Sequence, residues 1–245
     1  MNIVEAYIKF NKKLIILISG LSGCGKTGIG REISRDFKLP LINENEYCVK
    51  HFDNKVTLPD GKVITNWDSD DIYNWDKLNA DIMQSGSCVI VGTAFPDDKL
   101  KFNVDFHVHI KLSKQNIVTR RERFKTEHDD CGQDELTHDE TFVLNKYTLP
   151  YYYDLLKRET KMKYINANEI AESENDDNQK YIDKLYDEVF NYLMSVIQER
   201  LGRRSSTGSY KETREKPQEE TDSTTIDEEP LSTSNIPTEE EYIVR

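Results

Sequence analysis

Short runs rich in β-branched residues alternate with longer stretches of mixed polar and apolar residues over positions 1–201. Runs of four to nine apolar residues are typical of buried strands, whereas apolar positions spaced three or four apart are typical of helices. This alternation predicts a mainly parallel sheet covered by helices on both faces. Right-handed crossovers between the strands follow from a general rule, but the order of the strands does not.

Five strands and five helices are predicted from this pattern. The strands are expected at residues 14–19, 39–43, 88–92, 104–112 and 162–166. The helices are expected at about residues 26–37, 71–84, 114–127, 139–158 and 176–200. Together they predict a three-layer α/β/α fold around a five-stranded sheet.

Two insertions interrupt the alternation. Residues 51–65 read as a hairpin that turns at Pro59-Asp60-Gly61, because this tripeptide supplies the fixed and positive φ angles of a turn. The segment at about 48–66 is therefore predicted as a flap over a ligand, although an ordinary surface hairpin explains it equally well. The polar segment at about 120–138 is predicted as a mobile lid, and the spacing of its histidines and cysteine fits no zinc site.

The apolar periodicity stops at residue 202. Residues 202–245 are rich in Ser, Thr, Glu and Pro, a composition that cannot bury enough surface to offset the entropy of ordering. Six basic and eleven acidic residues give this segment about −5 of the net charge of −12. The sequence predicts a domain at 1–201 and a disordered acidic tail at 202–245, which is either inert or a contact for a protein partner.

Composition narrows the class of protein. The net charge of −12 argues against nucleic acid as the main partner, because nucleic-acid binding relies on excess Lys and Arg. Four cysteines without CxxC spacing indicate reduced thiols, which favours a cytoplasmic protein. The longest apolar run, at 14–18, is far too short to span a membrane, and the N terminus resembles no signal peptide.

A glycine-rich octapeptide, GLSGCGKT at residues 20–27, carries the clearest chemical signal. It fits G-x-x-x-x-G-K-[ST] and lies between a predicted strand and a predicted helix. In such a P-loop NTPase fold, backbone N–H groups surround the phosphates, while Lys26 reaches the β and γ phosphates and Thr27 binds Mg²⁺. The predicted nucleotide-binding residues are Gly20, Ser22, Gly23, Cys24, Gly25, Lys26, Thr27 and Gly28. A glycine-rich turn without a ligand is the alternative.

The remaining motifs restrict what happens to the nucleotide. A guanine-specifying NKxD motif after a strand is absent, since Asn145-Lys146 is followed by Tyr147 within a helical pattern. Translocating ATPases usually need a longer chain and further motifs. A kinase with a small substrate is the simplest remaining class.

Four segments together resemble the uridine kinase and nicotinamide riboside kinase group of P-loop kinases. They are GLSGCGKT at 20–27, NENEY at 43–47, NWDSDDIYNWD at 66–76 and RRERF at 120–124. The resemblance covers roughly residues 12–160 and implies ATP and Mg²⁺ as cofactors. It also implies that the region after the second strand and the segment 66–76 hold a nucleoside, through Asn45, Tyr47, Trp67, Asp68 and Asp71. Read alone, the aromatic and paired carboxylate residues of the segment 66–76 suit a sugar-base ligand, and a capped surface helix is the alternative.

The RRERF segment supplies arginines to the predicted lid. Kinases use forked guanidinium groups to stabilise the transferring phosphoryl group. Arg120 and Arg123 lie three residues apart and share a helix face, so they are the preferred pair, followed by Arg121. The alternative is a basic outer face of a helix. His107 and His109 alternate with apolar residues on one predicted strand, which indicates a structural role.

The sequence departs from the family pattern at two positions. The resemblance implies a catalytic aspartate where Asn45 stands and a second acidic residue where Val91 stands. Loss of one base slows phosphoryl transfer more surely than it abolishes it, because positioning and charge neutralisation contribute most. Glu44 and Glu46 flank Asn45, and either is predicted to act near the acceptor hydroxyl.

Together these expectations predict an enzyme that uses ATP to phosphorylate the 5′-hydroxyl of a nucleoside or related ribosyl compound. The first alternative is a catalytically degenerate member of the same fold that binds nucleotide as a regulatory or scaffold protein. The second is a P-loop NTPase that acts on a protein partner. A homo-oligomer is compatible with each of the three.

Overall fold

The structure is a computed structural model that describes residues 2–49, 53–66, 68–128, 137–158, 161–174 and 177–208. The helices and strands follow in chain order: α1 (Ile3–Asn11), β1 (Ile15–Ser19), α2 (Lys26–Phe37), β2 (Leu41–Asn43), β3 (Lys55–Thr57), β4 (Val63–Thr65), α3 (Trp75–Ser85), β5 (Cys88–Gly92), β6 (Phe106–Lys111), α4 (Lys114–His128), α5 (His138–Val143), α6 (Leu149–Lys157), β7 (Lys163–Asn166), α7 (Asn168–Ser173) and α8 (Asn178–Gly208). Short 3₁₀ helices cover Glu44–Tyr47 and Asp70–Ile72, and a π-helical turn covers Leu144–Thr148.

Five parallel strands form the main sheet in the order β2-β5-β1-β6-β7. The predicted parallel five-stranded sheet is therefore confirmed. At its carboxyl edge, Ser19 lies opposite Gly92 on one side and His109 on the other. The loops that follow β1, β2 and β5 meet at this edge, which is where ligands bind in open α/β sheets.

Alternate residues of the central strand face opposite layers of helices. Ile16 and Ile18 pack in a cluster with residues of α1, α2 and α8, whereas Ile15 and Leu17 pack with residues of α3. This division follows from the two-residue side-chain period of a strand. It confirms the predicted three-layer α/β/α architecture.

Two predicted helices differ from the observed ones at their boundaries. The helix predicted from residue 71 begins at Trp75, because the Asn74 side chain accepts a hydrogen bond from the Lys77 N–H and caps the first turn. The helix predicted at 139–158 is divided into α5, the π-helical turn and α6. Helices α1 and α7 were not predicted, although α1 carries a capping box formed by Asn2 and Glu5.

The last helix passes the predicted domain boundary. Helix α8 extends from Asn178 to Gly208, so residues 202–208 continue the helix instead of belonging to the predicted tail. An i,i+4 ion pair between Glu199 and Arg203 accompanies this extension. Residues 209–245 lie outside the described residues, and the disordered tail stays a prediction there.

The predicted hairpin is present. Strands β3 and β4 pair antiparallel, and Gly61 has a φ of 86° at the predicted turn. The Nζ atom of Lys62 lies 3.5 Å from Oδ2 of Asp139, which joins the hairpin to α5.

Of the segment predicted as a lid, residues 129–136 lie outside the described residues. Among the helices that the structure describes, none has the length and apolar character to cross a membrane.

Candidate active site

The phosphate loop, residues 20–27, turns from the end of β1 into the start of α2. Gly20 and Gly25 have φ angles of 152° and 89°. A Cβ atom at Gly20 would lie 2.6 Å from the Cys24 Sγ, and one at Gly25 would lie 2.7 Å from Cδ1 of Ile182. Both positions therefore require glycine, and the loop presents the first-turn N–H groups of α2 to a ligand.

Three side chains donate hydrogen bonds to successive carbonyl groups of this loop. Arg121 Nε donates to the Ser22 oxygen at 3.1 Å, and Arg120 Nε donates to the Gly23 oxygen at 2.8 Å. The Tyr181 hydroxyl donates to the Cys24 oxygen at 2.9 Å. Because each donor comes from α4 or α8, these two helices fix the backbone orientation of the loop.

Arg120 is almost fully buried in this contact. Its Nη2 donates to Asn178 Oδ1 at 2.9 Å, and its guanidinium carbon lies 3.4 Å from the ring centroid of Tyr181. The side chain that was predicted to clamp the transferring phosphoryl group thus supports the phosphate loop. The contact of Arg120 with the phosphoryl group itself stays a prediction, as does that of Arg123, and both side chains line the cavity in front of the loop.

A cavity of about 1470 Å³ lies in front of the phosphate loop and is called the large cavity here. Its walls come from the loop, the β3–β4 hairpin, α4, α5 and the start of α8. Its cationic lining residues are Lys26, Arg31, Lys62, Arg120, Arg121 and Arg123. These cations outnumber the acidic lining residues Glu32, Asp139 and Glu140, and the excess of positive charge favours a polyphosphate ligand.

Thr27 lines the large cavity beside Lys26, in the position predicted for a magnesium ligand. Among the described residues, no group of three His, Cys, Asp or Glu side chains could hold a metal ion. Mg²⁺ usually needs only one or two protein ligands, since water and substrate phosphates complete its coordination. The Thr27 hydroxyl therefore fits a metal that arrives with the nucleotide.

Glu44 lies directly after β2 and is fully buried. Its Oε2 accepts a hydrogen bond from the Thr93 N–H at 2.7 Å, and its Oε1 has no hydrogen-bond partner among the described residues. Burial raises the pKa of this carboxyl to about 8, although the Thr93 N–H and the charge of Lys26 act in the opposite direction. A group with this pKa can hold or release a proton near neutral pH.

A second, small cavity of about 40 Å³ contains this carboxyl. It is lined by Glu44, Asp68, Tyr73, Trp75, Thr93, Ala94, Tyr151 and Leu155. The Oδ2 atom of Asp68 accepts a hydrogen bond from the Thr148 hydroxyl at 2.8 Å. Burial raises the pKa of Asp68, and Thr148 and Arg121 oppose this shift. Two carboxyl groups and three aromatic rings thus surround one small space.

The structure separates the residues predicted after β2. Asn45 and Glu46 are both exposed, and only Asn45 lines the large cavity. The Tyr47 hydroxyl donates to Asp81 Oδ2 at 2.9 Å on α3. Burial, followed by the Asp81 contact, raises the pKa of Tyr47 to about 12. Tyr47 therefore packs against α3 and lines neither cavity.

The remaining predicted residues have different environments. Asp71 is exposed and lines neither of the two cavities, so only Asp68 of the predicted aspartate pair lies in the site. Trp67 lies outside the described residues. Val91 is fully buried and pairs with Ile18, which explains an apolar residue at a position where the resemblance implies an acid.

Six residues of the small cavity were not predicted as site residues: Tyr73, Trp75, Thr93, Ala94, Tyr151 and Leu155. Tyr73 and Trp75 belong to the segment 66–76 that carried the family resemblance, so their signal was present. Tyr151 is the first of three successive tyrosines, residues 151–153, and none of the sequence motifs assigns a ligand to this run. Thr93 contributes a backbone N–H, for which side-chain patterns give no signal.

No protein-family model and no curated protein matches the chain. Among solved structures, an uncharacterized protein from Eubacterium ventriosum is 15% identical over 74% of this chain and 98% of its own, with a TM-score of 0.40. A gluconokinase from Sinorhizobium meliloti is 11% identical over 73% of this chain and 97% of its own, with a TM-score of 0.39. Both TM-scores lie below 0.5, so the function is inferred below from the residues of the site.

Proposed function

We propose that the protein is an ATP- and Mg²⁺-dependent kinase that phosphorylates a hydroxyl group of a small ribosyl compound, with the 5′-hydroxyl of a nucleoside as first candidate. One observation carries the proposal: Glu44 lines the small cavity and lies within electrostatic reach of Lys26 in the phosphate loop. A carboxyl suited to an acceptor hydroxyl therefore lies within electrostatic range of the lysine that would hold the donor phosphates.

The donor would occupy the large cavity. The N–H groups at the start of α2 and the ammonium group of Lys26 would bind the β and γ phosphates. Thr27 would hold Mg²⁺, which neutralises charge on the phosphates when it is bound. The β3–β4 hairpin and α5 form part of the cavity wall, so they would help to shield the reacting phosphate from water.

The acceptor would enter the small cavity with its reactive hydroxyl. Asp68 would accept a hydrogen bond from a sugar hydroxyl, and the rings of Tyr73 and Tyr151 supply apolar walls. Glu44 in its ionised form would accept the proton of the attacking hydroxyl as the new P–O bond forms. The bond between the γ phosphorus and its bridging oxygen breaks, and ADP leaves.

A degenerate, binding-only protein is the second candidate. Its support is Asn45, an exposed amide at the large cavity where the family pattern has a carboxylate, together with the apolar Val91. The third candidate is an NTPase that acts on a protein partner, and it would hydrolyse ATP with no acceptor present. The three candidates differ in the fate of the γ phosphate.

The test is to incubate the protein with γ-labelled ATP and a panel of ribonucleosides, deoxyribonucleosides, nicotinamide riboside and free sugars. Lys26→Ala is the control for loss of the phosphate site. The proposal expects label to appear on one class of ribosyl acceptor in wild type and to disappear in the control. Binding of ATP without transfer would support the degenerate protein, and release of free phosphate independent of acceptor would support the NTPase.

A further inference from the structure

A chain of four buried polar side chains lies at the carboxyl edge of the sheet, directly below the phosphate loop. Ser19 Oγ lies 2.8 Å from His107 Nε2 and 2.8 Å from His109 Nδ1. The other ring nitrogen of His109, Nε2, is hydrogen-bonded to the Tyr152 hydroxyl. All four side chains are buried, and neither proposed cavity includes them.

The strand register and ring contacts hold this chain in place. Ser19 on β1 lies opposite His109 on β6, and His109 lies opposite Tyr164 on β7. The rings of His109 and Tyr152 stack with centroids 5.7 Å apart, and Tyr164 meets His109 edge to face at 5.4 Å. The imidazole of His109 is therefore fixed by packing as well as by hydrogen bonds.

Both histidines are neutral at physiological pH, because burial lowers the pKa of His107 to about 4 and that of His109 to about 3. A neutral imidazole has one donor and one acceptor nitrogen. If Tyr152 donates to His109 Nε2, then His109 Nδ1–H donates to Ser19 and the Ser19 hydroxyl can donate to His107. The other arrangement that makes all three hydrogen bonds reverses the donor and acceptor in each of them. In either arrangement all three bonds point the same way along the chain.

The chain joins the two halves of the proposed site. Ser19 directly precedes Gly20, the first residue of the phosphate loop. Tyr152 belongs to α6, whose residues Tyr151 and Leu155 line the small cavity. Directional hydrogen bonds fix distance and orientation more narrowly than apolar contacts do, and a buried polar chain is stabilising only when its members are paired.

We propose that Ser19, His109 and Tyr152 are positioning residues that fix the acceptor wall on α6 relative to the phosphate loop. This inference rests on the proposed kinase function. In this role the chain helps to align the acceptor hydroxyl with the γ phosphate. Alignment matters because a small displacement between reacting atoms lowers the rate by a large factor.

Tyr152→Phe removes one hydroxyl from the chain and keeps the ring that stacks on His109. We expect kcat to fall about tenfold while KM for ATP stays within about twofold, because alignment is lost and donor binding is kept. His109→Phe should have a similar effect, and the double variant should be no slower than the slower single variant. Tyr186→Phe is the matched control. The Tyr186 hydroxyl donates a hydrogen bond to Asp36 Oδ2 at 2.5 Å, and neither residue lines either cavity.

Two results separate this inference from the proposed function. Wild-type transfer combined with an unchanged kcat in Tyr152→Phe would overturn the positioning role, even if the variant melts at a lower temperature. If the wild type transfers phosphate to no acceptor, the positioning role is tested by imidazole ¹⁵N spectra recorded with a non-hydrolysable ATP analogue. The inference then expects His109 signals to shift on nucleotide binding in wild type and to shift less in Tyr152→Phe, and unshifted wild-type signals would overturn it.

Discussion

The Nε atom of Arg120 donates a hydrogen bond to the backbone carbonyl of Gly23 at 2.8 Å. This contact holds a buried guanidinium between the phosphate loop and the ring of Tyr181. Its Nε and Nη2 atoms both donate hydrogen bonds, and pairing of this kind is the condition under which a buried charge is tolerated. The role of Arg120 is therefore expected to appear in nucleotide binding.

Arg120→Ala should weaken ATP binding about tenfold, because a carbonyl and a neighbouring amide lose a charged donor. Arg120→Lys should recover only part of the loss, since an ammonium cannot bond Gly23 and Asn178 in the same geometry. Titration with nucleotide measures both variants, and Arg35→Ala on the exposed end of α2 is the control. Unchanged ATP affinity with a reduced kcat would instead support the phosphoryl clamp.

The raised pKa of Glu44 predicts a pH dependence of activity. The value of kcat/KM for the acceptor should rise with pH and level off above about 8, because the ionised carboxyl is the base and this ratio reports groups of the free enzyme. Glu44→Gln should remove this rise. A wild-type profile that is flat from about pH 6 to about pH 9, a range that spans the expected inflection, would contradict the assignment.

The same shift predicts a pH dependence of stability with a defined sign. The folded-state pKa of about 8 lies above the ordinary value of 4.5, so the folded protein holds a proton that the unfolded chain has released. Stability from this group is fully present below 4.5 and is lost as the pH rises to about 8. Denaturant unfolding across this range should show the decline in wild type and a smaller decline in Glu44→Gln. An equal decline in both proteins would contradict the shift.

Asp68 and Asp71 form a matched pair for the acceptor site. Asp68→Asn should raise KM for the acceptor about tenfold, because a half-buried carboxylate that would accept a hydrogen bond from a sugar hydroxyl is replaced by an amide. Asp71→Asn should change KM little, since Asp71 is exposed and lines neither cavity. Steady-state kinetics with the acceptor varied at saturating ATP makes the comparison. A larger effect at Asp71 would place the acceptor elsewhere.

Gly92 is expected to be essential because of the carboxyl beside it. A Cβ at this position would lie 2.6 Å from Glu44 Oε2 and 2.6 Å from Cζ of Phe95. Gly92→Ala should lower the free energy of unfolding by about 1–3 kcal/mol and displace Glu44. Gly202→Ala, in a helix with no atom within 4 Å of the added carbon, is the control and should be neutral or stabilising. Equal stability of the two variants would show that Glu44 adjusts freely.

The features that could be predicted from the sequence are those that depend on neighbouring residues. The strand at residues 14–19 and the helix at 26–37 follow from apolar periodicity, and the phosphate loop follows from glycine spacing. The helix start at Trp75 was missed by four residues, although Asn74 carries the capping signal. The pattern predicts a helix over 71–84, but the helix begins after Asn74, because its side chain accepts a hydrogen bond from an N–H group of the first turn.

The partners of individual side chains could not be predicted in this way. Arg120 and the Gly23 carbonyl are 97 residues apart in the chain, so their contact depends on how α4 packs over the loop. Glu44 and Glu46 were equivalent in the sequence, yet one is fully buried and the other exposed. The difference arises from the turn after β2, which directs only the first of them toward Thr93.

The most direct test of the account compares Glu44→Gln with Glu46→Gln in single-turnover transfer from ATP to the acceptor that wild type uses. We predict equal amounts of ADP and phosphorylated acceptor in wild type, a loss of about 10²- to 10⁴-fold in rate for Glu44→Gln, and little change for Glu46→Gln. Wild-type transfer that survives unchanged in Glu44→Gln, or that is lost only in Glu46→Gln, would contradict the assignment of the small cavity as the acceptor site.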